Sequence, residues 1–202
     1  MRKPLAYVVG AFEHPTRRAV GMTLAQLHAE VALGALRDAG LSARDVDGYF
    51  CASDAPGVGI FSAAEHLGLN LRYMESTETG GSAYEVLVRH AALAISQGLC
   101  DVALVVMADN GIASGVGLGL GGVSPPTQMP NTQFEFPYLQ GAAGSYALVA
   151  RRHMHEFGTT REQLAEVAVA ARRWALLTPG AWETEPLTVD QVLSARMGSD
   201  PL

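Results

Sequence analysis

The sequence has 202 residues, of which 49% are apolar and 17% charged, with a net charge of −6 at pH 7. That length and apolar content are typical of a globular protein that buries a sizeable core, and the acidic balance argues against a nucleic-acid-binding surface. Because no apolar run reaches membrane-spanning length and residues 1–10 lack the pattern of a secretory signal, we expect a cytoplasmic protein without a membrane span.

Apolar, strand-like runs alternate with segments of helical periodicity up to about residue 107. Strands are predicted at Leu5–Gly10, Gly48–Ala52, Leu71–Ser76 and Asp101–Met107, and helices at 24–39, Phe61–Leu67 and Gly81–Gln97. Thr23 can cap the first helix and Gly40 can end it. Strands and helices alternating at this spacing imply right-handed crossovers and a largely parallel sheet, so the predicted class is α/β.

The stretch from 109 to 141 is rich in glycine and proline and too long for an ordinary connection, which predicts a functional or subunit-contacting excursion. Within it, residues 117–122 satisfy G-x-G-x-x-G. They lie about ten residues past the preceding strand and run into prolines, so a packed loop is a better interpretation than a nucleotide cradle. Helices are predicted to follow at Ala142–Phe157, Arg161–Leu177 and Pro186–Ser194.

The two cysteines, Cys51 and Cys100, come without a CxxC motif or a close histidine, which indicates a reduced compartment and thiols that pack as small hydrophobes. His153 and His155 lie two apart on a predicted helix, and so on different faces. We therefore predict neither a metal site nor a histidine-based catalytic group.

The segment Met74–Tyr84 turns from a strand into a mostly apolar helix, with glycines at the bend. Such an elbow aims backbone N–H groups and the positive end of the helix dipole at one spot, where an anion or a developing oxyanion can be held. The alternative is a plain tight turn. Glu75 and Glu78 flank Thr77, and roles in solvation or capping are the simplest interpretation of both.

Several runs in this order are shared with one protein family. They are Tyr7–Gly10, Ala35–Gly40, Asp45–Tyr49, the elbow and Ala94–Val106, followed by Tyr146–Leu164, Pro186–Val189 and Asp200–Leu202. The first group resembles the thiolase superfamily. The second group is similar to its sterol-carrier or lipid-transfer branch.

The resemblance implies a thiolase-like fold, in which two βαβαβ halves form a five-layered α-β-α-β-α sandwich. Residues 1–108 and 142–202 would supply the amino-terminal half, with 109–141 as an inserted loop region and the carboxy-terminal half absent. A half-sandwich should leave an apolar helical layer uncovered. We therefore expect a homodimer or a hetero-oligomer, including one with a small zinc-ribbon/OB-fold subunit.

In the family the elbow carries a nucleophilic cysteine followed after two residues by glycine. Matching that glycine to Gly80 places Thr77 at the cysteine position. A threonine hydroxyl is not ionised near neutral pH without a dedicated base, so covalent acyl transfer through Thr77 is not expected. The resemblance implies that Thr77, Gly80 and Gly81 contact the substrate, and it identifies no catalytic residue in this chain.

Three functions follow from the resemblance, each with a coenzyme A thioester as substrate or ligand and no bound cofactor. The first is retro-aldol cleavage or formation of a carbon–carbon bond without a cysteine nucleophile, in the degradation of lipid or steroid side chains. The second is acyl transfer of the acetyl-CoA acetyltransferase (thiolase) type. The third is a non-catalytic acyl-binding or structural subunit, which leaves open whether the chain is an enzyme by itself.

Overall fold

The computed structural model describes residues 5–16, 18–52, 59–110 and 141–197. The chain divides into two compact units, Met1–Gly115 and Val116–Leu202. In the first, the helices are α1 (Leu24–Ala39), α2 (Ile60–His66) and α3 (Ala83–Ser96), and the strands are β1 (Gly48–Phe50), β2 (Tyr73–Glu75) and β3 (Ala103–Val105). In the second, the helices are α4 (Gly141–Phe157), α5 (Arg161–Leu176) and α6 (Val189–Leu193).

The described strands form a parallel sheet in the order β2–β1–β3. Gly48 at the start of β1 is in register with Tyr73 on one side and Ala103 on the other, so the carboxyl ends of the strands meet at one edge of the sheet. The central strand is buried along its whole length. This arrangement confirms the predicted α/β class and parallel sheet.

Alternate residues of β1 pack into separate cores on the two faces of the sheet. On one face Tyr49 lies in a cluster with buried residues of α1 and α2, such as Leu36 and Ala63. On the other face Phe50 packs with buried residues of α3, including Leu87. The first unit is therefore a layer of helix on each side of a sheet, as expected for a βαβ-based half of a thiolase-like sandwich.

The caps predicted for α1 are confirmed. The Thr23 hydroxyl accepts a hydrogen bond from the N–H of Gln26, and Gly40 has a φ of 70°, in the left-handed region that ends many helices. The helices predicted at Ala142–Phe157 and Arg161–Leu177 form within a residue of those bounds, and Thr160 and Gln163 make the predicted capping box.

One carboxylate holds the amino ends of β1 and β3 together. Asp47 Oδ1 accepts hydrogen bonds from the N–H groups of Asp101 and Val102, both at 2.8 Å. The guanidinium of Arg72, which precedes β2, contacts the carboxylates of Asp47 at 3.1 Å and Asp101 at 3.0 Å. Partial burial, the largest influence, acts to raise the pKa of Asp47, but the two N–H groups and the guanidinium together hold that pKa below its ordinary value of 3.8.

The strand predicted at Leu5–Gly10 does not form, and this prediction was wrong. The segment pairs with no strand of the described sheet, and Tyr7 and Val8 are 78% and 84% exposed. Apolar β-branched composition favours a strand only where a neighbouring strand accepts its hydrogen bonds, and the described sheet does not include this segment. Gly10 instead lies against the end of α1, where an added Cβ would be 2.5 Å from the carbonyl oxygen of Ala35.

The other strands are shorter than predicted, by two residues at Gly48–Ala52, three at Leu71–Ser76 and four at Asp101–Met107. The predicted excursion lies outside the described residues except for its ends, and so does the glycine motif at 117–122. The closing residues 198–202 lie outside them as well.

Candidate functional site

The predicted elbow is present at the carboxyl edge of the sheet. β2 ends at Glu75, a short 3₁₀ turn covers Gly80–Ser82, and α3 begins at Ala83. In open α/β sheets, ligands bind in the crevice outside the carboxyl ends of the strands. The elbow therefore lies on the side of the sheet where a ligand site is expected.

The turn at the start of α3 bends sharply at a glycine. Thr79 has φ −95° and ψ 28°, and Gly80 follows with a φ of 63°. A change of φ sign between neighbouring residues is a feature of the backbone concavities that attract anions. The Ser82 hydroxyl donates a hydrogen bond to the Thr79 carbonyl at 2.9 Å and so holds the turn closed. Together with the dipole of α3, this geometry favours a negative charge at the bend.

Gly80 and Gly81 differ in whether the structure requires a glycine at that position. Gly80 has a positive φ, a conformation that favours glycine whatever the surrounding space. Gly81 has no positive φ, and a Cβ added there would meet no atom within 4 Å. Neither the backbone nor the packing of the described residues thus requires glycine at position 81. Its effect is to leave the surface of the turn free of a side chain at this position.

Thr77 occupies a different part of the elbow. It is half-buried in the loop between β2 and the 3₁₀ turn, and it comes before the turn that begins at Gly80. The residues predicted to contact substrate thus fall into two groups. Gly80 and Gly81 are exposed at the start of α3, whereas Thr77 lies in the loop that leads from β2 to the turn.

Both thiols are buried, as predicted. Cys51 and Cys100 have no exposed surface, and Cys100 packs beneath Gly48 at the amino end of the sheet. Burial, followed by the negative charges of Asp47 and Asp101, raises the pKa of the Cys100 thiol. A buried thiol that is harder to ionise does not serve as a nucleophile.

A hydrogen-bonded network at the foot of the elbow was missed in the sequence. The Tyr73 hydroxyl donates to Glu75 Oε2 at 2.9 Å, and the other carboxylate oxygen of Glu75 accepts a hydrogen bond from Nδ1 of His90 in α3. The sequence signal for this network is weak, because it consists only of a carboxylate at the end of a strand and a histidine two turns into the next helix.

A cavity of about 230 Å³ opens at the same edge of the sheet, next to the carboxyl end of β3. Apolar and polar groups share its wall almost equally. The apolar residues include Phe12, Leu27, Val31 and Met107, and the polar ones include His14 and Asp109. His14 is fixed by Glu30 at 2.7 Å and accepts a hydrogen bond from the N–H of Thr16 at 3.1 Å.

Comparison with known proteins gives relatives of similar sequence and solved structures of the same fold. The chain is 32% identical over 182 residues to an acetyl-CoA acetyltransferase of Methanothermobacter thermautotrophicus, covering 86% of this chain and 45% of that protein. It is 32% identical over 207 residues to a 17-hydroxy-3-oxo-4-pregnene-20-carboxyl-CoA lyase of Mycobacterium tuberculosis, covering 98% and 52%. No protein-family model matches the sequence.

Among solved structures, the Ltp2-ChsH2(DUF35) aldolase superimposes with a TM-score of 0.73 at 28% identity, covering 96% of this chain and 49% of that one. A monomeric SCP2-thiolase-like protein of Mycobacterium smegmatis has the same fold, with a TM-score of 0.65 at 20% identity, covering 97% and 40%. The chain is thus similar to thiolase-like proteins over most of its length. The resemblance found in the sequence is thereby confirmed.

The chain spans about half the length of the thiolase-like relatives it matches, 45% and 52% for the two described above. The assignment of Thr77 to the family's nucleophile position and the division into residues 1–108, 109–141 and 142–202 stay predictions. None of the described helices combines the length and apolar character needed to span a bilayer.

Proposed function

We propose that this chain supplies the oxyanion-binding elbow of a thiolase-like enzyme that cleaves or forms a carbon–carbon bond in an acyl-CoA thioester, by retro-aldol chemistry and without a cysteine nucleophile. The observation that carries the proposal is the exposed turn at Gly80–Ser82 at the start of α3, where Gly81 projects no side chain into the open space beside it. Both thiols of the chain are buried.

The chemistry needs an oxyanion site more than a nucleophile. In a retro-aldol step the β-hydroxyl loses a proton and becomes a carbonyl, and the electrons of the broken bond move onto the α-carbon and the thioester oxygen. Donors fixed in advance around that oxygen stabilise the resulting enolate. The Gly80–Ser82 turn can provide such donors, and Thr77 lies on the approach to it from β2. The base that removes the hydroxyl proton is not assigned to this chain.

The relatives support a CoA thioester as the substrate class, since both curated names given above refer to acyl-CoA compounds. The cavity beside β3 suits the acyl portion. Two strand spacings of about 4.8 Å separate the ends of β2 and β3, so a bulky acyl group with its thioester at the elbow can extend across the edge of the sheet. Apolar walls such as Leu27 and Met107 favour a hydrocarbon.

For partners, we propose a homodimer or a hetero-oligomer, including one with a small zinc-ribbon/OB-fold subunit. The description of the solved Ltp2-ChsH2(DUF35) aldolase names two components, which supports a second polypeptide.

A second candidate function is acyl transfer of the acetyl-CoA acetyltransferase type, favoured by the name of the Methanothermobacter relative. That chemistry needs an ionisable thiol at the elbow, and the described elbow residues do not include a cysteine. A non-catalytic acyl-binding subunit is the third. The assembled protein distinguishes the three: cleavage of a β-hydroxyacyl-CoA supports the first, thiolysis of a β-ketoacyl-CoA the second, and binding without either reaction the third.

The test of the elbow is a graded enlargement of residue 81. Because an added Cβ meets no atom within 4 Å, Gly81→Ala should keep or slightly raise stability, by up to about 1 kcal/mol. The methyl group nevertheless adds bulk to the exposed surface of the turn. We expect kcat for cleavage of a β-hydroxyacyl-CoA by the assembled protein to fall at least about 10-fold for Gly81→Ala, the equivalent of about 1.4 kcal/mol in activation free energy, and further for Gly81→Val.

Ser96→Ala, at the far end of α3, is the control and should cleave the thioester like the wild type. If Gly81→Val cleaves the thioester as fast as the wild type, the elbow is not the site and the proposal fails.

A further inference from the structure

The network formed by Tyr73, Glu75 and His90 joins the two arms of the elbow. Glu75 is the last residue of β2, His90 lies two turns into α3, and the pair is 15 positions apart along the chain. The whole elbow lies between these two residues. The contact between Glu75 and His90 therefore links the end of β2 to α3 across the base of the elbow.

Glu75 is itself firmly anchored. One carboxylate oxygen pairs with His90 and the other accepts the Tyr73 hydroxyl at 2.9 Å. The Tyr73 ring packs on Phe50 in the buried strand, with ring centroids 5.8 Å apart. The hydrogen bond to Glu75, followed by burial and the negative charge of that carboxylate, raises the pKa of Tyr73, so the phenol stays a donor at neutral pH. The core of the sheet thus fixes the carboxylate that holds His90.

The buried face of α3 against the sheet is apolar. Its buried residues are Ala83, Leu87, Ala91 and Ala94. Burial of apolar surface is non-directional. A hydrogen bond to a carboxylate is directional. The Glu75–His90 pair therefore adds a directional constraint to this apolar contact.

We propose that Glu75 and His90 are positioning residues, which fix the rotation of α3 against β2 and so hold the N–H groups of the Gly80–Ser82 turn in one direction. The kinetic consequence rests on the proposed function, but the structural one does not. A misalignment of about 1 Å at a reacting centre costs on the order of 100-fold in rate, so a small rotation at the elbow is sufficient.

The test compares three variants of the full chain by backbone ¹⁵N relaxation. His90→Leu removes the donor to Glu75. His90→Asn keeps a side-chain N–H close to the position of Nδ1 and should rescue. Tyr73→Phe removes a hydrogen bond from the same carboxylate but leaves the link between β2 and α3 in place, so it controls for lost stability.

In His90→Leu we expect the order parameters of Gly80 and Gly81 to fall from about 0.85 to below about 0.6. Gly98, beyond the other end of α3, should keep its wild-type value. His90→Asn and Tyr73→Phe should both resemble the wild type at the elbow. If His90→Leu leaves the elbow as rigid as before, or loosens Gly98 equally, the pair is a general structural contact and the proposal is overturned.

The second measurement uses the assembled enzyme and a β-hydroxyacyl-CoA. His90→Leu should lower kcat by about 10- to 100-fold with KM changed less than about 3-fold, since the elbow acts on charge that develops in the transition state. His90→Asn should recover most of that loss. A wild type that neither binds nor cleaves the thioester would refute the proposed function, and the relaxation data would still decide the role of His90.

Discussion

Replacement of Asp47 by alanine tests whether one carboxylate holds the amino ends of the strands. In Asp47→Ala the N–H groups of Asp101 and Val102 each lose an acceptor at 2.8 Å, and Arg72 loses one of its carboxylate contacts. A hydrogen bond to a charged group contributes about 1.5–3 kcal/mol. Because water can replace part of the loss at the exposed Asp101, we expect the free energy of unfolding to fall by about 2–4 kcal/mol. The thermal midpoint should fall by roughly 4–16 °C.

The matched control is Asp101→Ala, which removes an exposed carboxylate that contacts the same guanidinium. A surface ion pair contributes little, so we expect a loss below about 1 kcal/mol. Asp47→Asn keeps a side-chain oxygen for the two N–H groups and should fall between the two variants. Urea unfolding followed by circular dichroism at pH 7 measures all three. Equal urea midpoints for Asp47→Ala and Asp101→Ala would refute the reasoning.

The stability difference between the wild type and Asp47→Ala should depend on pH in a direction that follows from the pKa of Asp47. The pKa of Asp47 is lowered in the folded protein from its ordinary value of 3.8, so protonation favours the unfolded chain. Its contribution is complete above pH 3.8 and is lost as the pH falls through the folded pKa. The stability difference between the wild type and Asp47→Ala should be constant near neutrality and shrink in acid. A difference that grows below pH 3.8 would contradict this assignment.

Three further experiments test burial, close packing and helix capping. The buried thiols of Cys51 and Cys100 should react with a thiol reagent only as fast as the protein opens locally, and immediate labelling of either would contradict their burial. Gly10→Ala should cost about 1–3 kcal/mol in thermal unfolding, because the added Cβ lies 2.5 Å from the Ala35 carbonyl oxygen; an unchanged midpoint would contradict that contact. Thr160→Ala should cost about 1 kcal/mol in urea unfolding through loss of the α5 cap, a loss that an alanine at the preceding threonine should not reproduce.

Local signals in the sequence were sufficient to place the helices. Thr23 and Gly40 mark the ends of α1 by a hydroxyl cap and a left-handed glycine, two features that depend only on nearby backbone. The run Leu5–Gly10 shows the limit of such reasoning. Its composition predicts a strand, but a strand also requires a partner far away in the sequence, and composition carries no information about that partner.

Part of the candidate site could also be predicted from the sequence. Glycines at a strand-to-helix bend were enough to predict the elbow, and the family motif drew attention to Thr77. The difference between Gly80 and Gly81 depends on a backbone angle and on open space, which no residue pattern reports. The pairing of Glu75 with His90 depends on the rotation of α3, since a shift of one residue would turn a neighbouring side chain toward the sheet.

The exposed run at the start of the described chain has a practical consequence for handling the protein. The exposed fractions of Tyr7, Val8 and Val9 are 78%, 84% and 64%. Exposed segments of high β-propensity can pair with strands of other molecules. Association should therefore increase with protein concentration, and precipitation should start from this segment. Val8→Lys introduces a charge of the kind that natural edge strands use against aggregation. It should keep concentrated samples dispersed without disturbing the core, because the valine that it replaces buries little surface.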